Sequence, residues 1–479
     1  MSAPIPHYLA LDQGGHSSRA LLFDATGTLV ARAQTPVTTQ YIDAARVEQD
    51  ADEVVRSLRD VIADIARQTD TSALSAIGLA TQRSSIVCWS RNDGRALTPI
   101  LSWQDRRNAA MINAMSPYAD AIHARTGLFL SPHYGASKLR WCLDHFPEVR
   151  RAAADNTLAA SPLISFLAHH LLRQHPYCVD PANAGRTLLW NLQQRTWDTQ
   201  IAQWFGVPVS VLPTVTPSCD AFGEINVGGT HYPLRVLQGD QPAALFADGW
   251  PRVENIYINI GTGAFIQRPF TQLPPDLPRH LRSLVLQGLG RTIYTAEATV
   301  NGAASAVDLL FAQHQRSVDH TLLAHCLVPG DAPPLYLNGV GGLAAPWWLP
   351  HFSSRFIDAT PDFAAQLAGI LESVVFLLAT NIETLATLAP APTQIVLSGG
   401  WSHIDELARR LAVITNLQVT CQHQAEATAR GVAFLAGAAP RHWQPSGTRA
   451  SFAPAEDVTV SARYRAWRDA MRAHTQLGF

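Results

Sequence analysis

Lysine is almost missing from this chain. Of the 36 basic side chains in 479 residues, only Lys138 is a lysine. That excludes a P-loop, whose phosphate chemistry needs a lysine directly after its second glycine. Cysteine is scarce too: Cys88, Cys142, Cys178, Cys219, Cys326 and Cys421 lie far apart, with no CxxC and no histidine cluster at zinc spacing. They read as reduced thiols of a cytoplasmic protein. Charge of one sign is also absent, since 36 basic residues face 38 acidic ones for a net charge of -2. Nothing in that balance favours nucleic acid or an anionic membrane as a partner. The opening MSAPIPHYLALD has no basic segment followed by an apolar one, which argues against a secretory leader. The most apolar long helix candidate, Phe363 to Leu388, is broken by Gln366, Glu372, Asn381 and Glu383 and reads as too polar for a membrane span.

What is present suits a well-buried α/β enzyme. Hydrophobic residues make up 47% and charged residues 15%. A chain of this length exceeds one ordinary core, so two domains of roughly 200 to 250 residues are expected. The stretch Tyr8 to Asp24, YLALDQGGHSSRALLFD, holds two short apolar runs joined by a glycine turn and reads as a strand hairpin. Gly14 and Gly15 let backbone N–H groups approach an anion, and Ser17 and Ser18 add hydroxyls. Asp12 makes sense in such a turn if a divalent cation stands between it and phosphate. An ordinary hairpin with a polar turn is the plain alternative.

A third strand follows at Thr28 to Ala33, then a helix over Ala51 to Arg67, then a buried strand at Ala76 to Ala80. Ligands in open α/β sheets sit beyond the carboxyl ends of strands, which singles out Gln82, Arg83 and the nearby Trp103, Gln104 and Asp105. A surface position for Arg83 and a core position for Trp103 are the alternatives. Further helices are expected at Arg107 to Met115, Tyr134 to Asp144 and Pro162 to Leu172, the second carrying Lys138 in a solvated position. Pro176 to Gly223 reads as an irregular insertion. At Leu234 to Ala247 a strand runs into Gly239, Asp240 and Gln241 and then a helix with Pro242 in its first turn. Asp240 there is either an N-cap or a carboxylate placed to accept a proton from a bound alcohol.

The second half restates the first. Asn255 to Gln267, NIYINIGTGAFIQ, is again strand, glycine turn and strand. A helix is expected from Thr295 to Asp308. Thr393 to Ile404 reads as strand, Gly399-Gly400 and helix, with a backbone cradle for a phosphate or ribose edge. Glu426 to Gly437 reads as a small-residue helix that packs closely on a sheet, and Val460 to Ala473 as a charged terminal helix.

In this order and spacing, DQGGHSSR (Asp12 to Arg19), TQRSS (Thr81 to Ser85), SWQDRR (Ser102 to Arg107), TGL (Thr126 to Leu128), GDQPAALF (Gly239 to Phe246), IGTGAF (Ile260 to Phe265) and LSGG (Leu397 to Gly400) resemble the FGGY family of carbohydrate kinases, most closely its glycerol kinase branch. The resemblance implies two ribonuclease-H-like lobes of the actin, hexokinase and Hsp70 type, placed here at residues 1–249 (sugar site and base) and 250–479 (nucleotide). It implies an ATP-dependent kinase of a small polyol or sugar, with ATP and Mg2+ as cofactors; the oligomeric state is not readable from the sequence, and a homodimer is the state to test. Asp240 falls at the general base and Asp12 on the metal side, through water. Gly14, Gly15, His16, Ser17, Ser18, Gly261, Thr262, Gly302, Gly399 and Gly400 fall on the nucleotide side. Gln82, Arg83, Ser84, Trp103, His133, Asp240, Gln241 and Phe265 fall at the polyol pocket.

The departures from that branch are specific. Two threonines of the first turn are here Gly15 and His16. A substrate-binding glutamate is Ser84, a pocket tyrosine is His133, and an asparagine after the last glycine pair is Ile404. The expectation that follows is a kinase whose preferred substrate is a longer, more hydroxylated chain than glycerol. Glycerol kinase proper and an inactive sugar or nucleotide sensor on the same fold are the alternatives.

Overall fold

The computed structural model describes residues 6–328, 332–357, 362–423 and 426–477, and it divides into two units. The first unit comprises residues 1–251, 283–294 and 426–445, and the second 252–282, 295–425 and 446–479. Segments 283–294 and 426–445, which follow the expected boundary at 249 in sequence, pack with the first unit. Contacts distant in sequence decide such membership, and no local pattern reports them.

In the first unit, β1 (His7–Gln13), β2 (Ser17–Asp24), β3 (Leu29–Pro36), β4 (Leu74–Thr81), β5 (Cys219–Val227) and β6 (Thr230–Gly239) form one sheet in the order β5-β6-β4-β1-β2-β3. β1 and β2 are antiparallel, whereas β4 runs parallel to both β1 and β6. The carboxyl ends of β1, β4 and β6 thus lie side by side, with Gln13, Thr81 and Gly239 in register. Helix α1 (Ala51–Gln68) covers β2 and β3 with Val54, Val55, Leu58, Val61, Ile62 and Ile65, and Asp50 caps its first turn by accepting from Glu53 N–H. A smaller sheet, built from residues 40–41, 47–49, 100–101, 86–90 and 158–162, carries the loops at 82–85 and 102–105. Residues 176–223 are short strands and helical turns, as their composition suggests.

The second unit repeats the pattern. β7 (Asn255–Ile260) and β8 (Ala264–Phe270) form an antiparallel hairpin, and β11 (Gln394–Gly399) runs parallel to β7. With β9 (Leu281–Gly288), β10 (Arg291–Val300), β12 (Gln418–Gln422) and β13 (Thr448–Phe452) they form a sheet ordered β9-β10-β8-β7-β11-β12-β13. The helix expected from Thr295 is instead β10 through Val300, and the following helix starts at Ala304. The run TIYTAEATV, with Thr292, Ile293, Thr295, Thr299 and Val300 β-branched and Tyr294 aromatic, suits a pleated strand better than a helical turn. Glycines 399 and 400 do not lead straight into a helix either. That helix, α5 (Asp405–Thr415), begins only at Asp405 and carries Asp405 and Glu406 in its first turn, charges that repel a phosphate.

Helix α4 (Phe363–Ala386) has the length and the apolar composition to cross a membrane despite its polar interruptions, which therefore do not by themselves rule out a span. Most of it is buried within the second unit, which accounts for its apolar character as core. Helix α6 (Ala427–Ala436) belongs to the first unit and packs on β1, β4 and helix α3 (Asp240–Ala244). Its small residues are required: a Cβ on Gly431 would run into the Ala243 carbonyl, and Gly78 of β4 makes room for Val432. All six cysteines are free thiols.

Candidate active site

In the first unit the site is assembled at the carboxyl ends of β1, β4 and β6. Asp12, next to last on β1, is buried, and strand register sets it opposite Arg19. Arg19 forks between Asp12 and Glu426, so one guanidinium holds the hairpin and the start of α6 together. Burial pushes the Asp12 carboxyl up to about 6 against the pull of Arg19, and the charge of Asp240 raises it further. Neither Arg19 nor Glu426 stood out as a partner in the sequence, since 407 residues separate them.

The turn after β1 is held from behind. The Gly15 carbonyl accepts from Gln49 Nε2 at 2.8 Å and Thr39 Oγ1 at 2.6 Å, and Gly14 N–H donates to the Ser17 carbonyl. A planar trans peptide with its C=O tied inward turns the His16 N–H the opposite way, toward the open side of the turn. Ser17 shares a face with Arg19. Ser18 does not: it is fully buried, and its hydroxyl meets Ser57 Oγ of α1 at 2.8 Å. Strand alternation turns its side chain to the face opposite Ser17 and Arg19, where the hydroxyl is engaged by α1 rather than free in the turn.

Beyond β4, Gln82 is buried and donates to Gln13 Oε1 and Gln49 Oε1, while its own Oε1 has no partner among the described residues. Arg83 is also buried, with Nη2 donating to Gln241 Oε1 at 2.6 Å. Its surface alternative is excluded. Asp240 is the first residue of α3, and its side chain accepts from Gln241 N–H at 2.8 Å, while Gly239 occupies the cap position. The carboxylate thus satisfies one N–H of the helix's first turn through Oδ1. Burial raises the proton affinity of the Asp240 carboxyl, and Arg83 and Arg186 counter it. Arg186 escaped notice in the sequence because no motif surrounds it.

Ser84 and His133, the two pocket departures, touch each other: Ser84 Oγ lies 3.2 Å from His133 Nε2. Ser84 takes a left-handed backbone with φ of 66°. Burial, with Lys138 and the guanidinium groups of Arg106, Arg186 and Arg83 nearby, holds the His133 ring well below its usual range, hence neutral. The Trp103 ring lies edge-on to His133 with centroids 5.7 Å apart, and at 38% exposure it is no core aromatic. Lys138, expected in solvent, is 1% exposed beneath this group.

In the second unit the turn between β7 and β8 mirrors the first one. The Gly261 carbonyl accepts from Ala304 N–H, and the Thr262 carbonyl accepts from Ala303 and Ser305 N–H. The Thr262 and Gly263 N–H groups consequently face away from the helix. Gly399 needs its φ of 88°, since a Cβ there would meet the Ile260 carbonyl, and Gly400 beside it is exposed. Gly302 is buried with its carbonyl taken by Asn338 Nδ2, and it lines a small cavity with Thr299, Val300, Asn301 and Asn338. Phe265 is half-buried on β8 opposite Asn259. Ile404 is fully buried, core where the resemblance places a polar contact. Among the described residues no three His, Cys, Asp or Glu side chains gather at one metal-sized point.

Residues 7–232 match the N-terminal domain, and residues 256–439 the C-terminal domain, of the FGGY family of carbohydrate kinases. A glycerol kinase of Trichlorobacter lovleyi is 33% identical over 448 residues, 91% of this chain and 90% of that protein. One of Alcanivorax borkumensis is 30% identical over 98% of both. Among solved structures, Plasmodium falciparum glycerol kinase with ADP aligns with a TM-score of 0.89 at 19% identity over 99% of both chains. A xylulose kinase from Rhodospirillum rubrum aligns with a TM-score of 0.85 at 20% identity over 98% of both. The fold is thus shared with kinases of different sugars. The chain belongs to the FGGY family of carbohydrate kinases.

Proposed function

We propose that this kinase transfers the γ-phosphoryl group of ATP to a hydroxyl of a sugar or polyol longer than glycerol, with Asp240 as the base. The observation that carries the base assignment is the Asp240 carboxylate at the end of β6, with raised proton affinity, beside an Arg83–Gln241 pair that can orient hydroxyls. Phosphoryl transfer asks little covalent help from protein, so in-line positioning, charge neutralisation and one proton acceptor suffice. Asp240 takes the hydroxyl proton as the oxygen attacks, and the turns at Gly14 to Ser17 and Gly261 to Gly263 present N–H groups suited to phosphate oxygens.

Asp12 fits a magnesium site reached through water. It is one buried carboxylate with Oδ2 on Arg19, so a magnesium ion held there would draw its other ligands from phosphate and water rather than from protein side chains. When bound, the ion neutralises charge on the β and γ oxygens.

The neutral Ser84–His133 pair supports the longer substrate. It offers one donor and one acceptor in place of the carboxylate and phenol that the resemblance puts there. Glycerol is the second reading, favoured by the retention of Arg83 and Trp103 and by the names of the relatives. A coupled ADP-release screen over glycerol, erythritol, ribitol, xylulose and ribulose is the test. We expect a four- or five-carbon substrate to exceed glycerol in kcat/KM. Glycerol ranking first would reverse the specificity reading, and no turnover with any acceptor would leave the inactive sensor.

A further inference from the structure

Three loops build the first unit's pocket, and one side chain ties all three. Lys138, in the first turn of α2 (Gly135–His145), donates Nζ–H to the carbonyls of Ser84 at 3.0 Å, Ser102 at 2.7 Å and His133 at 2.8 Å. Each carbonyl belongs to, or directly precedes, a residue already placed at the pocket: Ser84, Trp103 and His133. Three acceptors at these distances call for three N–H donors. A neutral amine has two, so the three carbonyls favour the ammonium, against burial and the nearby Arg106 and Arg107 guanidinium groups, which pull its proton affinity well below the usual lysine range, and with the Asp105 carboxylate close by to support the charge. A buried ammonium without an ion-pair partner on its own atoms is costly unless its hydrogen bonds are complete, and here they are.

We propose that Lys138 is a positioning residue for the sugar site, holding the Ser84, Ser102 and His133 carbonyls so that the Ser84–His133 pair and the Trp103 ring keep one mutual geometry. This rests on the kinase reading above. Ser84 shows why a clamp is needed, because its φ of 66° is a conformation that an L-residue holds only when its surroundings impose it. The Trp103 N–H adds a second tie between the same loops by donating to Ser85 Oγ at 2.9 Å. Guanidinium cannot replace the ammonium here: its planar fork does not point three donors at three carbonyls arranged around one atom. In a chain that otherwise uses arginine for every basic position, that geometry gives a reason for the single lysine.

The test compares full-length Lys138→Met and Lys138→Arg with wild type on the best acceptor from the panel. We expect both to remain folded by circular dichroism, KM for the sugar to rise at least tenfold, KM for ATP to stay within about twofold, and discrimination among acceptors to narrow. A buried lysine that only stabilises the fold would lower the melting temperature and leave the sugar KM unchanged, which would overturn the proposal. Should the variants fail to fold, wild type labelled with 13C,15N-lysine supplies a single side-chain signal. Saturating sugar must shift it, and an unmoved signal refutes the proposal. Wild type that phosphorylates no acceptor would instead defeat the kinase reading on which the proposal stands.

Discussion

Gly239 and Arg83 are in such close contact that no side chain fits between them: a Cβ built on Gly239 would fall against the Cγ and Cδ of Arg83. The glycine does not serve a special backbone here, since its φ of -81° is open to any residue. It serves the arginine, which crosses the end of β6 to reach Gln241.

The first expectation follows from that contact. Gly239→Ala should displace the Arg83 guanidinium from Gln241 and lower kcat/KM for the sugar by about a hundredfold, the scale of a misplacement of about 1 Å at a reacting site. Stability should fall by about 1 to 3 kcal/mol, as for other overpacked sites. Steady-state kinetics with a thermal melt checks both, and wild-type kinetics in the variant would remove Arg83 from the pocket.

Asp240→Asn should fold, bind ATP and lose about 10²- to 10⁴-fold in turnover. The carboxyl's proton affinity is raised by burial. The ionised base is therefore lost as pH falls through a point above the ordinary carboxylate value, and the acid limb of kcat/KM should lie above that of an exposed aspartate. A flat profile down to pH 4 would contradict the assignment.

Ser84 and His133 should act as one unit, because their side chains meet at 3.2 Å. Ser84→Glu alone forces a long carboxylate against His133 and should impair every acceptor. The double variant Ser84→Glu/His133→Tyr should recover turnover on glycerol, with a coupling of about 0.5 to 3 kcal/mol in the double-mutant cycle. Additive effects would show that the two positions are read separately.

A stability prediction concerns Asp180, fully buried, whose carboxylate accepts from Ala182 and Asn183 N–H and from Asn183 Nδ2. Burial pushes it from 3.8 up to about 6. The folded state thus holds the proton more tightly than the unfolded state. The associated stability is full below pH 3.8 and is lost as pH rises through about 6, an effect on the order of 2 to 3 kcal/mol. Asp180→Asn keeps the cap, and an Asn183 amide flip offers the new NH2 its oxygen, which has no partner among the described residues. The variant should melt a few degrees higher than wild type at pH 8 and lose that advantage by pH 4.

Much of this protein was readable in order along the chain. Apolar runs, turn glycines and helical spacing placed the β1–β2 and β7–β8 hairpins, α1, α2 and α6, and local motifs marked Asp12, Arg83 and Asp240, because each of these depends on neighbours within a few residues. At Thr295 a segment rich in β-branched residues forms a strand where a helical start was expected, because pairing in the sheet decides what local spacing leaves ambiguous. Burial direction and distant partners lay beyond it. Ser18 faces Ser57 because strand alternation counts from a register that only pairing sets, and Arg19 reaches Glu426 across 407 residues. Lys138 shows the same limit: its spacing is that of a solvated helix residue, and only the approach of three loops supplied the carbonyls that draw its ammonium inside.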